Sequence, residues 1–162
     1  MRLKPIPEPP ADLDGVERAQ RAVPLVPGTE DDCCARLMQR YGLDDRQEAR
    51  TWLTFLRAVG LVEKGGSGFT RTRTEVENET LADAFVEGVF GAREVLAVLE
   101  EADGPLDSAA VFEGAKSMVP QWERHRNNWE EMWHERVRRL LGWAVLLELA
   151  ERMDEKYLLG VQ

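Results

Sequence analysis

The side chains in this sequence whose types and spacing carry chemistry are suited to recognition. Between residues 46 and 73 the chain sets out Arg46, Gln47, Arg50, Thr54 and Arg57, followed by Lys64, Arg71 and Arg73. On a helix turning about 100° per residue, Arg46, Arg50, Thr54 and Arg57 share one face, with Gln47 beside them. Arginine can bond O6 and N7 of guanine together, and glutamine N6 and N7 of adenine. A helix with Arg46, Gln47 and Arg50 in its N-terminal half therefore carries the groups needed to read base edges. Arg57, Lys64, Arg71 and Arg73 suit phosphates, contacts that position a protein without specifying a sequence.

Other chemistries have weaker support. Cys33 and Cys34 are adjacent and lack C-x-x-C spacing, so packing as small hydrophobes in a helix is expected. His125 and His134 stand nine apart outside any H-E-x-x-H frame, and a metal site built on them needs an acid such as Glu131. There is no G-x-x-x-x-G-K-S/T loop, no G-x-G-x-x-G after a strand and no serine in a nucleophile elbow. Neither an enzyme, nor a cofactor, nor a metal is expected.

Composition frames the partner question. The 162 residues, 43% hydrophobic and 31% charged, suffice for one ordinary domain or two small ones. The net charge of −9 opposes a general nucleic-acid coat. From Asp44 to Arg73, however, six basic side chains meet four acids, leaving +2 there and −11 elsewhere. With 17 Arg against 4 Lys and Ile6 the sole isoleucine, the sequence looks like one from a GC-rich, salt-adapted archaeon, in which acidity reports habitat more than partner. No apolar run reaches the roughly 20 residues of a membrane span, and MRLKPIPEPP lacks the apolar core of a signal peptide. A cytoplasmic protein without membrane contact is expected.

The elements that must hold these side chains can be read in order. Residues 1–10 carry four prolines and read as an extended arm. Asp12 or Asp14 caps a short helix through Arg21, and Val23-Pro24-Leu25-Val26 reads as an edge strand or strap. Thr29 caps a helix with Cys33, Leu37 and Met38 inward, ending near Tyr41-Gly42. Asp44, with Gln47 three residues on, starts the next helix, whose inner face is Ala49, Trp52, Leu53, Leu56 and Val59 with Phe55 at its edge. Gly60 ends it, and Leu61–Lys64, Gly65–Gly68 and Phe69–Arg73 read as strand, turn and strand. Residues 75–80 are a polar linker. Leu81 to Ala102 is helical in pattern, with Gly88 and Gly91 placed to split or bend it, and Asp103-Gly104-Pro105 stops it. Asp107 or Ser108 caps another helix. The last helix starts at Pro120, Asn127 or Asn128, with Trp122, Trp129, Trp133, Val137 and Leu140 as a core stripe.

A helix with an arginine face followed by a hairpin with basic arms resembles the recognition helix and wing of a winged helix-turn-helix domain. The pattern recurs. Shifted by 88 residues, Trp52 meets Leu140, Leu56 meets Ala144, Val59 meets Leu147, Leu61 meets Leu149 and Phe69 meets Tyr157. The expected fold is mainly α with short β-hairpin wings: two tandem winged helix-turn-helix modules, over 11–74 and 81–162. The second carries an inserted segment around 119–128. Its counterparts of Arg46, Arg50, Thr54 and Arg57 are His134, Arg138, Gly142 and Val145, so Trp143, Val145 and Leu146 are expected to face protein.

Over most of its length the chain resembles the small winged-helix proteins of halophilic archaea. That resemblance implies double-stranded DNA as partner and a role in transcription regulation. The second module would then contact another protein or a second copy, as a homodimer. The alternative is a winged-helix adaptor that binds protein and no nucleic acid. An unobstructed patch of Arg46, Arg50, Arg57, Arg71 and Arg73 favours DNA, and acids covering it favour the adaptor.

Overall fold

A computed structural model describes residues 4–160. Its contacts divide the chain into two compact units, meeting at Val89 and Phe90.

In the first unit, α1 (Leu13–Ala22) starts at Asp12, whose Oδ1 accepts from the Gly15 amide at 3.2 Å. Residues 1–3 of the expected arm lie outside the described residues. Of the rest, Ile6 and Pro7 are buried and Pro10 packs over Gly15. α2 (Glu30–Arg36) is capped by Thr29 and runs into a π-helical turn, Leu37–Tyr41, closed by left-handed Gly42. α3 (Arg46–Ala58) is capped by Asp45 and not Asp44: the Asp45 Oδ1 accepts from the Gln47 amide at 2.6 Å. That aspartate is the residue with extended backbone, which puts its carboxylate over the first free amides. Phe55, expected at the edge of the inner face, is fully inside with Trp52, Leu53 and Leu56.

The hairpin is β1 (Val62–Gly65) against β2 (Gly68–Arg71). The segment after α1 is a strap along β2, held by reciprocal Gly28–Phe69 backbone bonds of 3.0 and 2.8 Å and by the Arg71 amide on the Pro24 carbonyl. It comes so close that a β-carbon at Gly68 would stand 2.5 Å from the Gly28 oxygen. Buried Gln20 closes the base of the hairpin, its side-chain amide donating to the carbonyls of Leu61, Thr72 and Thr74 at 3.1–3.3 Å.

α4 (Asn78–Gly88) begins inside the stretch expected as linker, and it belongs by its contacts to the first unit and not to the second. Leu81, Ala82 and Phe85 are buried, and Gly88 abuts the Ala58 carbonyl at the end of α3. The long helical pattern is thus split between Gly88 and Gly91, as the two glycines suggested.

The second unit repeats the plan. α5 (Ala92–Glu101) leads to β3 (Leu106–Asp107), α6 (Ser108–Ala115), α7 (Trp129–Leu146), β4 (Ala150–Met153) and β5 (Lys156–Leu159). β5 lies between β3 and β4, with Leu106 opposite Tyr157 where the first unit has Gly28 opposite Phe69. The hairpins and the helices before them match at a shift of 88, whereas Leu106 follows Gly28 by 78. The difference of ten residues is the insertion, a 3₁₀ helix at Gln121–His125 followed by a longer last helix.

The passage from helix to hairpin is the same in both units. The Leu61 amide reaches the Leu56 carbonyl at 2.9 Å and the Gly60 amide the Arg57 carbonyl at 3.2 Å. Leu149 and Glu148 do the same to Ala144 and Val145 at 2.8 and 3.1 Å. This is a Schellman turn, which needs a left-handed residue at its bend. Gly60 (φ 79°) supplies one without strain, but Glu148 (φ 62°) is an L side chain in the same conformation. We expect Glu148→Gly to raise the stability of the chain by about 1 kcal/mol in chemical denaturation. In the first unit, Gln20→Leu should cost about 1–3 kcal/mol by stranding buried carbonyls.

Candidate nucleic-acid interface

The side chains singled out for base reading sit together at the exposed start of α3, and they are already engaged. Arg46 is ion-paired with Asp31. The Arg50 Nε lies 3.3 Å from the Glu30 carboxylate, and its Nη1 donates to the Gln47 side-chain oxygen at 3.4 Å. Both carboxylates come from the first turn of α2, which the Thr29 cap holds in place. The α2–α3 packing, with Cys33 and Cys34 buried beneath, aims that turn at the polar face of α3. Both thiols are pushed above their ordinary range, by burial first and then by nearby Asp32 and Glu30 respectively, so they stay protonated and unreactive.

The remaining positions divide. Arg57 and Arg73 are exposed, and their guanidinium groups have no ion-pair or hydrogen-bond partner among the described residues. Thr54 is half-buried. The Lys64 ammonium rests 5.5 Å over the Phe69 ring of the facing strand, which leaves it at the surface of the hairpin. Arg71 is half-buried, its Nε is enclosed, and its backbone amide donates to the strap. The basic surface is therefore α3 with Lys64 and Arg73, and two of its arginines carry acids of their own chain. Sequence spacing along α3 could not disclose that, because Glu30 and Asp31 lie on a different helix.

The matching face of the second unit is neutralised differently. His134, counterpart of Arg46, accepts from or donates to the Ser108 hydroxyl at 3.0 Å and stacks on Phe112. Arg138, counterpart of Arg50, turns to Glu135, which also takes Arg139. Trp143 does not face a partner: it is fully buried in the unit, since the α7 stripe rolls it inward with Leu140, Leu141 and Ala144. Val145 and Leu146 are half-buried.

Trp122 lies outside α7 on the inserted 3₁₀ helix and is 54% exposed, so it is not part of the core stripe. Met132 and Met153 are exposed apolar side chains that sequence reasoning passed over. Their exposure follows from the ends of the elements, where periodicity carries little information. The insertion itself is anchored by buried Glu123, 3.3 Å from Arg126, and by Arg124, stacked 5.0 Å over Trp129. Burial pushes Arg136 down to about 10, with Glu123 acting in the opposite direction, and its Nη2 donates to the Phe90 carbonyl. Among the described residues no three His, Cys, Asp or Glu side chains gather as metal ligands, and no helix is long and apolar enough to cross a membrane.

Two units, each with a third helix running through a Schellman turn into a hairpin that is flanked by the segment before the second helix, decide the family. The model of the halobacterial double winged helix domain matches residues 1–160. The chain belongs to that family. Neither a curated protein nor a solved structure shows significant similarity to it. As a double winged helix protein it has two candidate reading helices, α3 and α7, and they differ in charge, in burial and in the partners of every polar residue compared above.

On α7, the hydrogen bond from Arg138, opposed by burial and helped by Arg139, lowers Glu135 from 4.5 to about 2. A lowered folded pKa contributes stability that is complete above the unfolded value and lost as pH falls toward the folded one. The stability difference between the wild type and Glu135→Gln should therefore be constant above about pH 4.5 and shrink toward zero near pH 2 in thermal melts. A difference independent of pH over that window would assign the effect to helix propensity.

Proposed function

We propose that this double winged helix protein binds double-stranded DNA and regulates transcription, the first unit reading the duplex and the second making protein contacts. One observation carries the reading: Arg46, Gln47, Arg50 and Arg57 share an exposed face of α3 directly before a hairpin bearing Lys64. In helix-turn-helix docking the second helix of the motif enters the major groove, and its N-terminal residues meet the bases. Arg46, Gln47 and Arg50 are the readers. Arg57, Lys64 and Arg73 take phosphates, and Arg71 has a structural part at the strap. The second unit suits protein because its counterpart face is neutral to apolar, with Val145 and Leu146 at its end and Trp122 and Met132 exposed. A second copy of the chain is the simplest partner, two-fold dimers being the commonest oligomers.

A second reading, an adaptor that binds protein without nucleic acid, draws on the acids that pair with Arg46 and Arg50. The two readings separate on one experiment. The purified protein is mixed with labelled genomic fragments across a salt series that keeps it folded. Enrichment of particular fragments, weakening as salt rises, supports DNA reading. No retention at any salt supports the adaptor. If Arg50 reads a base, Arg50→Ala should weaken the enriched site by about 1–3 kcal/mol and relax preference there, with little loss on random duplex.

A further inference from the structure

The acids that α2 sets beside the reading helix, and not only the arginines of that helix, bear on which DNA is held. We infer that Glu30 and Asp31 are specificity-determining residues, which keep Arg50 and Arg46 from settling on phosphates and leave them for base edges. The inference rests on the DNA-binding reading above.

The geometry argues for it in three ways. First, the two pairs involve only Arg46 and Arg50, the arginines at the N-terminal half of α3, which enters the groove deepest. Arg57 and Arg73, placed for the backbone, have no such acid. Second, the pairs are exposed, with about half of each arginine side chain open to solvent. A guanidinium has five donors, so a carboxylate on one edge leaves others free for guanine O6 and N7. A neutral base edge can be accepted beside that carboxylate. A phosphate cannot be accepted as readily, because it meets the carboxylate's charge and must displace it from the arginine. Third, the charge is not needed to join the two helices. In the second unit Ser108, at the position of Glu30, links α6 to α7 at 3.0 Å through His134, which stands at the position of Arg46 and not of Arg50. A joint between the same two helices is thus built there without a carboxylate, which leaves discrimination between anionic and neutral DNA groups as what the acids add.

The consequence is a handicap on sequence-independent binding. Such binding runs on phosphate contacts and counterion release. Each arginine lost to an internal acid removes one contact, and each acid adds a repulsion. The handicap is smaller on a preferred site, where the arginines bond bases and their acids remain in place.

The test compares the full-length protein with Glu30→Gln/Asp31→Asn and with a charge-matched control, Glu100→Gln/Glu101→Gln, on the exposed end of α5. Probes are a labelled random 30-base-pair duplex pool and the fragment most enriched by the wild type from that pool. Thermal melts check that all three are folded. We expect the acid-neutralised variant to bind the random pool roughly tenfold more tightly, two exposed pairs being worth on that order. Its preference for the enriched fragment should fall, while the control matches the wild type. Binding of the pool by the acid-neutralised variant alone would be the limiting form of the same result. A selective wild type with an unchanged variant, or a control that gains as much, overturns the inference and leaves the DNA reading standing. Failure of wild type and variant alike to hold any duplex overturns both.

Discussion

The turn that carries each third helix into its hairpin is the constraint on which the rest of the molecule depends. Two backbone bonds, repeated at a shift of 88 residues to within about 0.1 Å, fix the angle at which α3 and α7 meet their wings. Everything a winged helix presents to a partner is set by that angle, because the exposed helix face and the hairpin arms act together. The cost is one left-handed residue per unit. The first unit meets it with glycine, and the second tolerates a glutamate, so the geometry outlasts the residue best suited to it.

Around that joint the two units have kept the frame and changed the surface. Strap and β3 occupy the same register position beside the hairpin, and α2 and α6 begin two residues after it. What differs is charge. Carboxylates at Glu30 and Asp31 meet arginines in the first unit, where a hydroxyl meets an imidazole in the second. Arg138 and Arg139 are drawn to Glu135 on their own helix. In a chain of net charge −9, the location of acids matters more than their number. A solvated acid far from a basic face adds solubility, and one that touches an arginine changes what that arginine can bind.

Most of the fold was legible in the sequence because it is written in local signals: the cap at Thr29, the choices of Asp12 or Asp14 and of Asp107 or Ser108 that the structure resolves to Asp12 and Asp107, the stop at Gly60, and the apolar stripe of α3. The repeat was legible for the same reason, since burial patterns survive when identities do not. What stayed hidden depends on pairs distant in sequence. α4 starts inside the stretch that reads as a linker, and only its packing shows that it belongs to the first unit. Trp143 and Trp122 carry the same side chain, and only the three-dimensional frame shows one enclosed and the other open. The polar face of α3 followed from spacing, whereas the acids beside Arg46 and Arg50 come from α2.

The ten-residue lengthening before α7 has a consequence for how such a chain can change over generations. It falls between α6, which follows the outer strand β3, and α7, which leads into the hairpin, so neither hydrogen-bond register passes through it. A repeated module can be longer at this point without a change in its hinge, and the added length leaves two unequal periods, 78 and 88, inside one protein. A search for internal symmetry at a single period would recover only the C-terminal half of each module. The correspondence of the two halves is therefore better traced by the order of their elements than by the distance between them.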